Sequence, residues 1–155
     1  MRSLDQAAAL TWAAQRIVLV GEGASSGIAV VAMDILFTLG RPAAVIENER
    51  TGAYFLTSNP RDLMLLAISH SGETQFPTRT VREARERGFK TIALTNEPAS
   101  ELARLAHVVL PTQVVESARG RYAIAPRICQ LAVLDQLFDR LTGARSGAQA
   151  VTRRE

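Results

Sequence analysis

The sequence predicts an α/β fold: a three-layer α/β/α sandwich around a five-stranded parallel sheet. Short apolar runs alternate with helix-length segments along the whole chain, which is the pattern of repeated strand–helix units. The run Leu63–Ile68 is apolar without alternation, as a parallel strand covered on both faces should be. A chain of 155 residues fits one domain, and its 47% hydrophobic residues can fill the core.

The predicted elements follow one another in strand–helix order after a leading helix. The predicted strands are 16–20, 43–46, 63–68, 90–94 and 107–110. The predicted helices are 4–14, one that Ser25 or Ser26 caps and Gly40 with Pro42 ends, a short one at 49–58, and 75–87, 100–105 and 124–141. A turn is predicted at 58–60 and a loop at 113–122.

Apolar residues recur at one-face spacing on the helix after the first strand, which predicts its buried face. They are Ile28, Val31, Ala32, Ile35, Leu36 and Leu39. The closing helix carries the apolar residues Ile128, Leu131, Ala132, Leu134, Phe138 and Leu141. Gly143 is expected to stop the closing helix. The domain therefore spans residues 1–143, and residues 144–155 are expected to form a flexible tail.

Two loops rich in serine and glycine each follow a buried strand. The first loop is Gly21–Gly27, and the second loop is Ser69–Thr74. Where a strand passes into a helix, backbone N–H groups are unpaired and the helix dipole is positive. Such a junction suits an anion, phosphate above all. The two loops together predict a pocket for a phosphorylated small molecule.

Topology predicts the same place independently. Five strands of this kind favour the flavodoxin-like order 2-1-3-4-5, in which the winding reverses between the first and third strands. Ligands bind at that switch point, and the two loops follow those two strands. The glycines let the backbone approach a ligand, and three hydroxyls in the second loop exceed the one that a helix cap needs. The candidate binding residues are Gly21, Gly23, Ser25, Ser26, Ser69, Ser71, Gly72 and Thr74.

Two residues of the second loop are weak candidates for acid–base catalysis, and no catalytic residue is assigned. Glu73 could act as a base on a sugar, but in a first helical turn a carboxylate also complements the dipole. His70 could contact a ligand or act as an acid, but no tuning partner is visible in the sequence. A structural role is favoured for both.

A dinucleotide site is the alternative to a phosphate pocket. The segment Gly21-x-Gly23-x-x-Ser26 resembles the dinucleotide-binding motif Gly-x-Gly-x-x-Gly. Glu47 follows the second strand, where that motif has an acidic residue that binds the ribose. Serine in place of the third glycine counts against this alternative, which also leaves the second loop without a purpose. We therefore expect no cofactor.

Composition excludes several other classes of function. The net charge is +3, but the arginines are scattered, so direct nucleic-acid binding by this segment is not expected. The single cysteine, Cys129, rules out an intramolecular disulfide and is expected to be buried and inert. Two histidines and one cysteine, far apart, give no metal site. No apolar stretch reaches membrane-span length, so we expect a soluble, cytoplasmic protein.

These motifs resemble the sugar isomerase (SIS) domain. The resemblance rests on Gly21-x-Gly23-x-Ser25, on Ser69–Thr74, and on Ile92–Thr95 followed by Ser100-x-Leu102-Ala103. It runs from about residue 4 to residue 142, and the second loop is its most specific part. It implies a five-stranded parallel α/β sandwich that binds phosphosugars. It also implies that Ser25, Ser69, Ser71 and Thr74 hold the phosphate.

Within that family, the first loop and the segment Ala125–Phe138 resemble the effector domain of RpiR-type transcription regulators. Such regulators carry an N-terminal helix-turn-helix domain, which is not expected in this sequence because Met1 falls almost at the first helix. The chain is therefore expected to be an excised domain or a stand-alone relative, with DNA contacted only through the absent part. One departure is Ala106-His107, where the family usually has Ala-Asp before its last strand.

Two functions follow from the resemblance. The first, which we favour, is a phosphosugar or amino-sugar-phosphate sensor that acts as a homodimer or homotetramer, with the apolar closing helix supplying the interface. The second is an aldose–ketose phosphate isomerase, which needs a base near the first two sugar carbons. The residues that could supply its acid and base are Glu47, Glu49, His70, Glu73 and Glu116.

Overall fold

The computed structural model describes residues 2–58, 62–114 and 124–152 of the chain. Their strands form one sheet in the order β2-β1-β3-β4-β5, in which every pair is parallel. The strands are β1 (Arg16–Gly21), β2 (Ala43–Ile46), β3 (Leu63–Ile68), β4 (Lys90–Thr95) and β5 (Val108–Pro111). The helices are α1 (Arg2–Ala13), α2 (Ala24–Thr38), α3 (Glu49–Ser58), α4 (Gln75–Glu86), α5 (Glu101–Leu105) and α6 (Ile124–Thr152). The predicted fold class and strand order are confirmed.

Two apolar cores lie on opposite faces of the sheet. Successive strand residues point to opposite faces, so Ile17 and Leu19 of β1 join one core while Val18 and Val20 join the other. Residues of α1, α2 and α6 complete the first core, and residues of α3, α4 and α5 complete the second. This double burial explains why β3 is apolar at every position.

Strand register brings the two loops together. Gly21, the last residue of β1, is paired with Ile68, the last residue of β3. On the other side of β1, Val20 is paired with Ile46, the last residue of β2. The carboxyl ends of these three strands therefore meet at one edge of the sheet, where a ligand is expected to bind.

The start of α2 and its exposed face differ from the sequence prediction. The helix begins at Ala24 with Gly23 as its N-cap, and no side chain caps it, so neither Ser25 nor Ser26 has the predicted role. Gly23 takes the cap position because its φ of 57° is a conformation that serine rarely adopts. Val31 and Ile35 are exposed, whereas Ala29 and Ala32 of the same helix are fully buried.

The closing helix also corrects two predictions. It runs through Gly143 to Thr152, because Gly143 keeps a helical backbone instead of the left-handed one that ends a helix. Cys129 is half-buried, between the exposed Ile128 and the fully buried Gln130, and not buried as predicted. The predicted turn at 58–60 and most of the loop at 113–122 lie outside the described residues. No helix in the described residues is long and apolar enough to cross a bilayer.

Candidate functional site

The first loop is a very tight connection between β1 and α2. Only Glu22 and Gly23 separate the strand from the helix, so the first helical turn lies directly over the end of the sheet. A Cβ atom on Gly21 would lie 2.5 Å from the Ser25 carbonyl oxygen, which is closer than such atoms can approach. Glycine is therefore required at position 21 for the helix to begin where it does.

The two serines of the first loop lie in the first turn of α2. Ser25 is buried at 5% exposure, and Ser26 is half-buried with its hydroxyl donating to the Gly23 carbonyl oxygen at 2.7 Å. Neither hydroxyl caps the helix. The helix N-terminus consequently presents its positive dipole end with two hydroxyl groups beside it.

The second loop is organised by its own hydroxyl groups. The Ser69 hydroxyl lies 2.9 Å from that of Thr74 and accepts the Gly72 N–H at 3.1 Å. The Ser71 hydroxyl accepts the Glu73 N–H at 3.2 Å and is exposed. Thr74 occupies the N-cap of α4, yet its side chain does not cap the helix. These three hydroxyls hold the loop in a curve around the start of α4.

Gly72 fits this loop against the start of α5. Its φ is +66°, and an added Cβ would lie 2.0 Å from the Ser100 hydroxyl oxygen and 2.9 Å from that of Thr95. Ser100 lies just before α5 as its N-cap, and its hydroxyl oxygen accepts the Ala103 N–H. The Gly72 carbonyl oxygen accepts the Leu102 N–H at 3.1 Å, which ties the second loop to α5.

Glu73 serves the fold at its observed position. One of its carboxylate oxygens accepts the Glu101 N–H at 2.9 Å, at the first residue of α5. A carboxylate at a helix N-terminus satisfies a free donor and complements the dipole. His70 lies between the two serines, and its backbone carbonyl accepts the Asn96 N–H and the Thr95 hydroxyl. Glu116 lies outside the described residues.

An open cavity of about 450 Å³ adjoins the first loop. The first loop contributes Gly21, Glu22, Gly23 and Ser26 to its wall. The end of β2 and the start of α3 contribute Glu47, Asn48 and Glu49, and Val30, Val45 and Phe76 supply apolar surface. Such a wall, with carboxylates and an amide, can accept hydrogen bonds from hydroxyl groups of a sugar-sized molecule. Ser25 and the second loop lie outside this wall.

A basic side chain that the sequence did not single out reaches the first loop. Arg127 of α6 donates through Nη1 to the Ser25 hydroxyl oxygen and, at 3.0 Å, to Oε1 of the fully buried Gln130. The signal available in the sequence was an arginine inside an apolar helical run. Its target lies 102 residues away, so spacing alone could not find it.

The chain matches the SIS domain family over residues 11–140. It belongs to this family. The match covers both loops and every strand, so the resemblance drawn from the motifs is confirmed. Within the described residues, no group of three or more histidine, cysteine or acidic side chains lies close enough to hold a metal ion.

Relatives of this SIS domain include regulators and enzymes. It is 33% identical over 140 residues to an uncharacterized HTH-type transcriptional regulator of Thermotoga maritima, a match that covers 90% of this chain and 50% of that protein. It is 37% identical over 102 residues to glutamine–fructose-6-phosphate aminotransferase (isomerizing) of Pyrobaculum aerophilum, covering 65% of this chain and 17% of the enzyme. The chain thus spans about half the length of the regulator.

Two solved structures share its fold closely. The sugar isomerase domain of an RpiR transcription factor from Sphaerobacter thermophilus has a TM-score of 0.83 and 25% identity, covering 99% of this chain and 84% of that one. The Vibrio vulnificus NanR protein complexed with ManNAc-6P has a TM-score of 0.87 and 23% identity, covering 99% of this chain and 59% of that one. Both similarities extend over almost the whole SIS domain.

Proposed function

We propose that this SIS domain binds a phosphorylated sugar or amino sugar and is the effector-sensing module of an RpiR-type regulator. One observation carries the proposal: two hydroxyl-bearing loops lie side by side where β1 and β3 end, and neither uses a hydroxyl to cap its helix. Helix N-termini with free N–H groups and hydroxyl donors are suited to phosphate. The ManNAc-6P complex of NanR supports the same ligand class.

The sugar moiety is assigned to the cavity beside the first loop. A phosphate held at the loops leaves the carbohydrate to extend toward Glu47, Asn48 and Glu49. Carboxylate and amide oxygens accept hydrogen bonds from sugar hydroxyls, and Phe76 offers an apolar face. Specificity for one sugar would then depend on these four side chains.

A sensor is favoured over an isomerase. The two residues considered first for catalysis, His70 and Glu73, are not in the cavity wall, and Glu73 uses a carboxylate oxygen at the start of α5. The isomerase is kept as the second candidate because Glu47 and Glu49 are in the wall and could move a proton. Loss of isomerisation with binding intact in Glu47→Gln would favour the enzyme.

The sensor is proposed to act as a homodimer. Large apolar side chains are exposed on both α2 and α6, and large exposed apolar patches mark protein–protein interaction sites. They are Val30, Val31, Ile35, Phe37, Ile124, Ile128 and Leu131. A groove of about 350 Å³ runs between the two helices and is lined mainly by apolar residues. A second copy of the chain would bury this surface.

We propose a cytoplasmic location and DNA contact only through another domain.

The decisive experiment is a thermal-shift measurement with ManNAc-6P, arabinose 5-phosphate, fructose 6-phosphate, the unphosphorylated forms of these sugars, inorganic phosphate and NAD. A ligand that binds only the folded chain raises the melting temperature. We expect a sugar phosphate to stabilise the protein and its unphosphorylated sugar to have no effect. A response to NAD alone would support the dinucleotide alternative instead.

Variants of the second loop test the location of the site. Ser71→Ala and Thr74→Ala should each abolish most of the ligand-induced shift, since each removes one hydroxyl donor. Thr38→Ala is the matched control, because its hydroxyl donates to the Ile35 carbonyl oxygen at the far end of α2, away from the loops. Equal ligand shifts in all three variants would contradict the proposed phosphate site.

A further inference from the structure

Helix α6 holds a guanidinium group against the first loop. Arg127 lies in the first turn of α6 and donates through one nitrogen to both the Ser25 hydroxyl oxygen and the Gln130 side-chain oxygen. Ser25 and Gln130 are both buried, and Arg127 itself is half-buried. This cluster joins the closing helix to the residue at which the first loop turns into α2.

We propose that Arg127 belongs to the phosphate-binding part of the site, where it supplies positive charge and fixes the direction of the Ser25 hydroxyl. The inference rests on the proposed function and deepens it, since it adds a charged recognition residue from a third segment of the chain. The predicted phosphate-binding residues contribute only uncharged hydroxyl and N–H donors.

The hydrogen-bond pattern of Ser25 carries the first step. A serine hydroxyl has one proton to donate and two lone pairs to accept. Because Arg127 has no acceptor, the Ser25 oxygen must accept from it, and the hydroxyl proton stays available for another group. Arg127 therefore makes Ser25 a hydrogen-bond donor toward an anion at the helix N-terminus.

Charge balance carries the second step. The cavity next to the first loop is lined by the carboxylates of Glu22, Glu47 and Glu49, of which Glu49 is paired with Arg79 at 2.8 Å. The carboxylates of Glu22 and Glu47 repel a phosphate group. A guanidinium stays protonated in proteins, and its charge-assisted hydrogen bonds to phosphate are strong. Arg127 offsets the repulsion on the phosphate side and leaves the carboxylates to the sugar hydroxyls.

A buried brace carries the third step. Gln130 is 0% exposed, and its carbonyl oxygen accepts from Arg127 one helical turn earlier. Its side-chain nitrogen has no hydrogen-bond partner among the described residues. A buried amide N–H group without a hydrogen-bond partner costs free energy of folding. Here its oxygen fixes the plane of the guanidinium, so less side-chain freedom is lost when an anion binds.

The experiment is calorimetric titration of the full chain with ManNAc-6P, arabinose 5-phosphate and inorganic phosphate at several salt concentrations. For Arg127→Gln we expect about 10- to 100-fold weaker binding of the phosphate-bearing probes, the loss typical of a hydrogen bond to a charged group. The salt dependence of binding should also decrease, because one cation is removed. Arg127→Lys should recover part of the affinity.

Two further variants complete the test. Arg140→Gln is the matched control, because this arginine of α6 pairs with Asp5 away from the loops; it should bind like wild type. If Arg127→Gln does not fold, Gln130→Met decides, since it keeps the charge and releases the brace; we expect a loss of about 3- to 10-fold.

The outcomes separate this inference from the function on which it rests. Wild-type protein that binds none of the probes overturns both. Wild-type protein that binds a probe, together with Arg127→Gln binding within twofold and with the same salt dependence, overturns the role of Arg127 alone. If Arg127→Gln does not fold, wild-type affinity in Gln130→Met likewise overturns the role of Arg127 alone.

Discussion

At the scale of single residues, Gly72 sets the geometry of the second loop. Gly72 combines a left-handed backbone with direct contact to Ser100, whereas Gly88 has φ of +82° and open space around its α-carbon. Gly88→Ala should cost about 1 kcal/mol, the penalty for the backbone conformation alone. Gly72→Ala should cost about 2–3 kcal/mol in unfolding free energy, because it also displaces the cap of α5.

Chemical denaturation of Gly72→Ala and Gly88→Ala measures this difference directly. If the two variants unfold with the same free energy, the contact between Gly72 and Ser100 has no energetic weight. Gly72→Ala should also lose the ligand-induced thermal shift, which Gly88→Ala should keep. The pair thereby separates the role of the second loop from a general loss of stability.

His107 makes stability depend on pH. Its Nδ1 accepts the Thr91 N–H at 3.2 Å and lies 2.9 Å from the Thr91 hydroxyl. Burial, then the charges of Lys90 and Arg85, lower the pKa of His107 below its usual 6.5. The native state thus holds the proton less tightly than the unfolded chain, so stability is complete above about pH 6.5 and falls as the pH decreases.

His107→Asp tests this account. A carboxylate can accept the same N–H and stays charged beside Lys90 and Arg85 down to about pH 4. We therefore expect the melting temperature to fall less between pH 7.5 and pH 5 in His107→Asp than in wild type. An equal or larger fall in the variant would contradict the assignment.

At the scale of elements, the exposed face of α6 governs assembly in the proposed dimer. Ile128 is 60% exposed in the middle of the apolar surface shared with α2. Ile128→Glu would place a charge in a buried interface, which is unfavourable without a partner. We expect this variant to be monomeric in light scattering. Gln136→Glu, exposed elsewhere on α6, should keep the wild-type mass. A monomeric wild type would contradict the dimer.

The elements also mark what could be predicted from the sequence. Strands and their order follow from continuous apolar runs, because a parallel sheet buries both faces. Helix ends were less predictable: Gly23 caps α2 and Gly143 does not end α6, and only the backbone dihedrals distinguish them. The apolar pattern of α2 did not separate Ala29, in the core, from Val31, at the surface, because the helix is apolar on nearly every side.

At the scale of the whole molecule, the location of the site was predictable but its full membership was not. The switch point of the sheet depends only on strand order, so both loops could be assigned to it from local motifs. Arg127 reaches the first loop only because α6 packs on the same face of the sheet as α2. Contacts between distant segments of this kind require the packed fold.

The two cores give the binding site a mechanical consequence. The first loop leads into α2, which packs in one core, and the second loop leads into α4, which packs in the other. A phosphate bound by both loops would connect the two helical layers across the edge of the sheet. We expect backbone amide exchange to slow in α2 and α4 together when ManNAc-6P or another bound sugar phosphate is present. Slowing in only one of these helices would mean that a single loop holds the ligand.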